Sequence, residues 1–504
     1  MVQTIDWSAV AAPLILACGA LVVLLADAFV GTGRGAHLPA GLSLVSLVAA
    51  AVPAVALWGS PRATFCVTQP LTGPPACSLR IDDLTLVVWG VVLFGTAMVT
   101  LLGTGSVAEG RIPQGEWHFL LLASATGALT IAAAGDLITL VVALEVVSLP
   151  AFALVGLRRG DPAAGEASLK FFLVSVVATA VMLMGVSLLY GATGSVHLTR
   201  VHEAVAAGTG PTGVLGVGAL LTVVGLGFKV GAVPFHMWVP DTYVGAPVAV
   251  AAYLSVVSKA AGFVGLMLVL GLALPDLAPA WSPAVAAMAA LTMTVGNVLA
   301  LGQQHAVRLL AWSSVAQAGY ILVPFAAIRF GTGGEVAAAF SASLGYLAAY
   351  AVMNLGAFAV ATAATARGRR RLVGYRGLIR ERPLAGWALA FALVSLAGLP
   401  PGVLGLLAKV IVVDAAAGPA TWLAVVMAVN VAVGLVYYLR WLAELFRPAE
   451  DTTVTAGPAG RARGDAAYRP AWGVSLAIVL TLAAGILFSV LPGLLLDPVL
   501  RVLG

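Results

Sequence analysis

Apolar runs of bilayer-crossing length follow one another along almost the whole chain, and this restricts the backbone more than any other feature. In hydrocarbon each N–H and C=O must be bonded internally, so such runs fold as helices. With 61% hydrophobic and 9% charged residues in 504, no segment remains for a separate soluble domain. The pattern predicts an all-α polytopic membrane protein of about fourteen spans, roughly at 9–30, 39–58, 84–103, 117–134, 137–157, 169–190, 213–239, 243–273, 282–302, 306–328, 337–363, 384–413, 419–440 and 471–496. An even count puts both termini on one side. The opening MVQTIDWSAV has no basic stretch before its apolar run, so the first run reads as a retained span.

Arginine placement predicts the orientation, because positive charge in short loops stays cytoplasmic. One set of loops holds Arg34, Arg111, Arg158, Arg159, Arg308, the cluster from Arg367 to Arg382, Arg440, Arg447, Arg461, Arg463 and Arg469. The opposite set holds only Arg62, Arg80, Arg200, Arg329 and Arg501. The first set is therefore expected on the cytoplasmic side of a bacterial inner membrane, with both termini outside. A sequence pI of about 9.2 reports this topology; basic runs beside spans are solvated or lipid-facing and give no nucleic-acid surface.

Lysine and arginine together number 26, yet only four are lysines, Lys170, Lys229, Lys259 and Lys409, and each falls within an apolar run. A chain that spends arginine on its loops and lysine in its spans uses, at depth, the cation able to give up its proton. For Lys170, near its span's start, and for Lys409, five residues before Asp414, snorkelling is the competing reading. Glu145 lies mid-span with no basic neighbour in its own run and needs a partner elsewhere. Lys229 and His236 stand seven apart with Pro234 between them, which predicts an opened helix with a relay histidine at the opening. Pro400, Pro401 and Gly402, followed by Lys409, repeat that theme.

These two breaks divide the chain. Residues 1–110 carry three spans; 111–273 and 282–446 carry five each, with the broken helix, the seventh or the twelfth, in fourth place; 447–504 carry a cytoplasmic loop and the last span. Units of five spans must enter with opposite topology, the inverted-repeat arrangement of transporters. The outward loop SPRATFCVTQPLTGPPACSLRIDD places Cys66 and Cys77 on the oxidising side, where a disulfide is favoured over two free thiols.

The segments LEVVSLP around Glu145, SLKFF around Lys170, GFKVGAVPFHMWVPDTYVGAP with SKAAGF, VRLLAWSSVAQAGY, and LAGLPP followed by AK resemble the antiporter-like family shared by respiratory complex I (proton-pumping NADH:quinone oxidoreductase) and the multisubunit cation/proton antiporters. The resemblance covers nearly the whole chain and is strongest to the subunit N branch. It implies Glu145 paired with Lys229 as an electrostatic switch, Lys259 as central proton carrier, Lys409 as carrier towards the outer half-channel, and Lys170 and His236 as connecting relays. Gln317 stands where many relatives have histidine, which puts relay duty there in doubt. The resemblance also implies partners: the neighbouring antiporter-like subunit M, the small subunits J and K, and the lipid bilayer.

No C-x-x-C and no strand-borne G-x-G-x-x-G occur, so no cofactor is expected in this chain. NADH, FMN, iron–sulfur clusters and quinone would belong to partner subunits. The expected function is proton translocation driven by quinone reduction elsewhere; the alternative is a cation/proton antiporter subunit, working alone or in a multisubunit antiporter.

Overall fold

The structure is a computed structural model describing residues 5–30, 37–67, 76–108, 112–329, 331–448 and 471–501. Of the orienting arginines, Arg34, Arg111, Arg461, Arg463 and Arg469 lie outside them. Helices α1 (Trp7–Val30), α2 (Leu38–Ala56), α3 (Asp83–Ala108) and α4 (Gln114–Ala132) pack as one group. Then come α5 (Leu137–Gly156), α6 (Pro162–Thr193), the short α7 (Leu198–Ala206), α8 (Thr212–Val230), α9 (Trp238–Gly245), α10 (Val248–Tyr253) and α11 (Lys259–Leu266). The second half holds α12 (Ala278–Leu301), α13 (Ala306–Ala326), α14 (Gly333–Thr365), α15 (Leu378–Glu381), α16 (Pro383–Ala397), α17 (Val403–Ala417) and α18 (Thr421–Phe446), followed by helices Trp472–Val490 and Gly493–Arg501.

Among the described residues twelve helical stretches are long and apolar enough to span a membrane. Neither α4, which begins QGEWH, nor the short pair α16–α17 is among these twelve. Val248–Ala273, α13 and α14 are almost wholly buried, whereas α1, α2 and α6 are buried over about a third of their windows. The bundle thus puts the Lys259 helix at its centre and the helices richest in exposed Val and Leu at its rim.

The expectation of an all-α chain needs one correction. The loop after α2 contains an antiparallel hairpin, β1 (Arg62–Val67) with β2 (Ala76–Ile81), in which Cys66 lies opposite Cys77 and is bonded to it. The segments RATFCV and ACSLRI contain residues that favour pleated backbone, but their shortness and the Pro- and Gly-rich stretch between them hide the pairing. Backbone bonds extend the hairpin: Arg80 donates to Ala133 O and Gly135 to Ser78 O, both at 2.8 Å, while Leu137 donates to Val196 O at 2.9 Å and Leu198 to Gly135 O at 3.0 Å. With a sequence separation of 11, the crosslink should stabilise the domain by about 3 kcal/mol at most in the chain-entropy treatment. Proteolysis without reductant should yield a linked Cys66–Cys77 peptide, and recovery of both cysteines fully alkylated would refute the bond.

Two breaks interrupt the spans where proline and glycine cluster. Helix α8 ends on Gly231 (φ 73°) and α16 on Gly398 (φ 82°), both left-handed, a conformation glycine adopts without penalty. Close approach also matters: a Cβ at position 231 would meet Val239 Cγ2 at 2.9 Å, and one at 398 would meet Lys409 Nζ at 2.9 Å. The span carrying Lys259 is interrupted differently, by π-helical turns at Leu254–Ser258 and Met267–Ala273 on either side of α11. Such turns widen a helix and recur at functional positions.

Candidate proton-transfer site

Three lysines, each at most 7% exposed, are held by neutral oxygens. Lys229, in the last turn of α8, donates to Ser148 Oγ at 2.7 Å. Lys259, at the start of α11, donates to the main-chain oxygen of Ser314 at 2.6 Å. Lys409, on α17, donates to Leu396 O and Ala397 O at 2.7 and 2.6 Å; these carbonyls end α16, where the helix dipole is negative and attracts a cation. Asp414 is exposed, whereas Lys409 is buried and bonded to those two carbonyls, so snorkelling does not describe this residue. Among the described residues no carboxylate lies within ion-pair range of any of the three.

Glu145 and Lys229 are neighbours without a direct ion pair, which corrects the pairing expected from the sequence. Glu145 Oε1 accepts from Thr179 Oγ1 of α6 at 2.7 Å. Ser148, the residue that holds Lys229, lies three positions on from Glu145 and so on the same face of α5. Ser148 Oγ in turn donates a hydrogen bond to Leu144 O at 2.6 Å. A serine therefore stands where a carboxylate was expected. Close by, Tyr253 donates to Ser124 Oγ at 2.8 Å, and Ser124 to Val147 O at 2.7 Å.

Lys170 fits the snorkelling reading and not that of a buried relay. Its side chain is 53% exposed, bonded to Glu166 at 2.6 Å and 3.8 Å from Asp241; it sits at the rim of the bundle and not among the buried lysines, because it lies only two turns into α6. His236 is buried in the break between α8 and α9, its ring 5.5 Å from that of Trp312 and its Nδ1 without a partner among the described residues.

Between Lys259 and the second half lies a network that the sequence reading passed over. Ser313 Oγ and Tyr438 Oη are 2.5 Å apart, Gln317 Nε2 donates to Tyr438 Oη at 3.1 Å, and Tyr346 Oη donates to Gln317 Oε1 at 2.5 Å. Gln317 thus fixes two hydroxyls and carries no titrating group itself. Asn297 extends this polar layer, donating to Tyr320 Oη at 2.9 Å and Asn430 Oδ1 at 3.2 Å and accepting from Tyr437 at 3.0 Å. One turn before Lys259, Asn354 donates to Ser255 Oγ at 2.7 Å. A signal was present: the only three asparagines, Asn297, Asn354 and Asn430, all lie in apolar runs, and all are buried.

Outside the spans, His305 caps α13 by accepting from the Arg308 N–H through Nδ1 at 3.4 Å. Partial burial, then Arg370 and Arg308, push its pKa below the usual histidine value. The neutral ring is thus favoured in the folded chain. Its contribution to stability is present above the ordinary histidine range and is lost as pH falls through that range towards its lowered value. A His305→Asn variant, which keeps a capping oxygen, should lose less melting temperature between pH 7.5 and 5.5 than the unaltered protein, and an equal loss would refute the assignment.

Residues 134–435 match the family described as NADH:quinone oxidoreductase/Mrp antiporter, TM. NADH-quinone oxidoreductase subunit N 2 of Streptomyces griseus is 52% identical over 98% of this chain and 93% of its own length. A chain of respiratory complex I from Thermus thermophilus with bound aureothin is 32% identical and superposes with a TM-score of 0.73 over 96% of this chain and 98% of that one. A chain of the Mrp complex from Dietzia sp. DQ12-45-1b, 22% identical, shares the fold with a TM-score of 0.81 over 99% of this chain and 97% of its own. With a family match over residues 134–435 and half of all positions identical to a full-length relative, the chain belongs to the NADH:quinone oxidoreductase/Mrp antiporter transmembrane family, on its subunit N branch.

Proposed function

We propose that this chain is a proton-translocating membrane subunit of an NADH:quinone oxidoreductase, and that Glu145, Lys229, Lys259 and Lys409 carry the protons. One observation supports this most directly: three buried lysines are held by hydroxyl and carbonyl oxygens and, among the described residues, by no carboxylate. Such oxygens accept a hydrogen bond from a neutral amine as well as from an ammonium, so the lysine keeps its position when it changes protonation state. A structural ion pair would lose its partner's attraction on deprotonation. His236 and the Ser313–Tyr438–Gln317–Tyr346 cluster would bridge the stations, and Lys170 would act only at the rim.

Counting α4, and α16–α17 as one broken span, gives about fourteen crossings. The two glycine-ended breaks then stand in corresponding places of two inverted five-helix units, 111–273 and 282–446. Redox chemistry would belong to partner subunits that hold NADH, FMN, iron–sulfur clusters and quinone; among the membrane partners would be subunits M, J and K. The arginine-rich loops would face the cytoplasm of a bacterial cell.

The test is proteoliposomes containing the assembled complex, given NADH and a soluble quinone while internal pH is followed by a dye. Uncoupler-sensitive acidification should accompany quinone reduction. Sodium–proton exchange by the chain alone, without NADH, would instead support the antiporter alternative.

A further inference from the structure

On the side of the arginine-rich loops, a cavity of about 350 Å³ ringed by charged side chains opens between the start of α6, the turn from α9 to α10, the start of α13 and the end of α14. Its rim is a lattice of alternating charge: Arg158 lies 3.3 Å from Asp161, Lys170 2.6 Å from Glu166, and Asp241 is shared between Lys170 at 3.8 Å and Arg308 at 3.6 Å. His305 and Arg370 complete the titratable and charged lining. A space of this size ringed by charge accommodates several waters. The rim thus joins carboxylates to a wet interior, the surroundings a proton needs to leave bulk water.

At the inner wall stands Tyr243. It is fully buried, its ring packed edge-on to Trp238 and Phe358, each with centroids 6.3 Å away. Tyr243 is one of the residues lining the cavity, and its hydroxyl is buried without a hydrogen-bond partner among the described residues. Its neighbour Ser314 likewise has a buried hydroxyl without a partner among the described residues. The carbonyl of that same serine holds Lys259 Nζ at 2.6 Å. One phenol and one serine therefore separate the cavity from the central lysine.

We infer that this cavity is the proton intake of the chain and that the Tyr243 hydroxyl gates it. Turned towards the cavity, Tyr243 Oη takes a hydrogen bond from water; turned inward, it donates to Ser314. In a transfer, one O–H bond of Tyr243 breaks as its proton passes inward to the Ser314 hydroxyl, which releases its own to the lone pair of a neutral Lys259, while a protonated water in the cavity reprotonates Tyr243 and is left as neutral water. Both hydroxyls end as they began, and the lysine gains one proton. The rim carboxylates hold protonated water at the opening without joining the transfer. This inference rests on the proposed function and adds the route to it.

The experiment uses membrane vesicles containing the assembled complex with the cytoplasmic face outward. Tyr243→Phe keeps the ring packing and should slow NADH-driven proton uptake several-fold, more so as external pH rises. Tyr375→Phe, which removes another buried hydroxyl without a partner among the described residues, at a position that does not line the cavity, should pump as the unaltered enzyme does. Ala163→Cys at the exposed rim tests the cavity without burdening assembly: the unlabelled variant should pump, and attaching a bulky maleimide should abolish uptake. Normal uptake by Tyr243→Phe overturns the gate, and normal uptake after labelling overturns the cavity as intake. If either occurs while Lys259→Ala is inactive, only the intake fails; normal pumping by Lys259→Ala would sink the proposed function itself.

Discussion

A complex carrying Lys259→Ala should assemble, retain its quinone-binding partners and lose coupled proton pumping by about two orders of magnitude, the scale of removing a positioned proton-transfer group. Assembly should survive because the Lys259 acceptor is a main-chain carbonyl inside α13. Deleting the side chain also relieves the burial of a charge, which offsets part of the cavity left behind. Lys259→Arg should fail as completely, since a guanidinium keeps its proton throughout any accessible pH. Proton release measured against NADH consumption decides the matter: a normal ratio in the arginine variant would remove Lys259 from the route.

The second large effect concerns Glu145 and Lys229. Ser148 lies one turn from Glu145 and holds the lysine, while Glu145 itself bonds Thr179, so the two charges act on each other through space and share no hydrogen bond. We predict that Glu145→Gln and Lys229→Met each depress coupled activity strongly, and that the double variant is no worse than the poorer single one. The resulting coupling energy should lie within about 0.5–3 kcal/mol, as for residues sharing one network. Ser148→Ala should weaken the coupling, since it removes the group that positions Lys229. Strict additivity of the two losses would mean that the residues work independently and that no switch exists.

Sequence patterning made the membrane helices and their broken members readable because hydrocarbon allows the backbone so few options. Buried lysines were legible for the same reason: Lys229, Lys259 and Lys409 are chemically conspicuous inside apolar runs. Partner identity was not. Whether Lys229 meets Glu145 or Ser148 depends on how α5 and α8 are rotated and shifted, which no local pattern encodes. Lys170 shows the limit from the other side, since apolar neighbours in sequence say nothing about which face of α6 points inward. The tyrosine and asparagine cluster escaped because hydroxyls and amides are ordinary in spans until their partners are seen. The π turns around α11 left no trace in the residue pattern, as LSVVS and MLVLGLA would suit a regular helix equally well.

The hairpin bearing Cys66 and Cys77 has a mechanical consequence. Its bonds to residues 133–135, and theirs to residues 196–198, tether the start of α5 to the segment that leaves α6. A swing of α5 must therefore pivot about this anchored end, while its far end, near Leu157, is free of that stitching. Glu145 lies about 13 Å along the lever from Asp136, so a tilt of about 5° shifts its carboxylate by about 1 Å. Such an excursion can strain the contact between Ser148 and Lys229, whose helix α8 is not stitched to the pivot, while α5 and α6 move from a common fulcrum and the Thr179–Glu145 bond rides along intact.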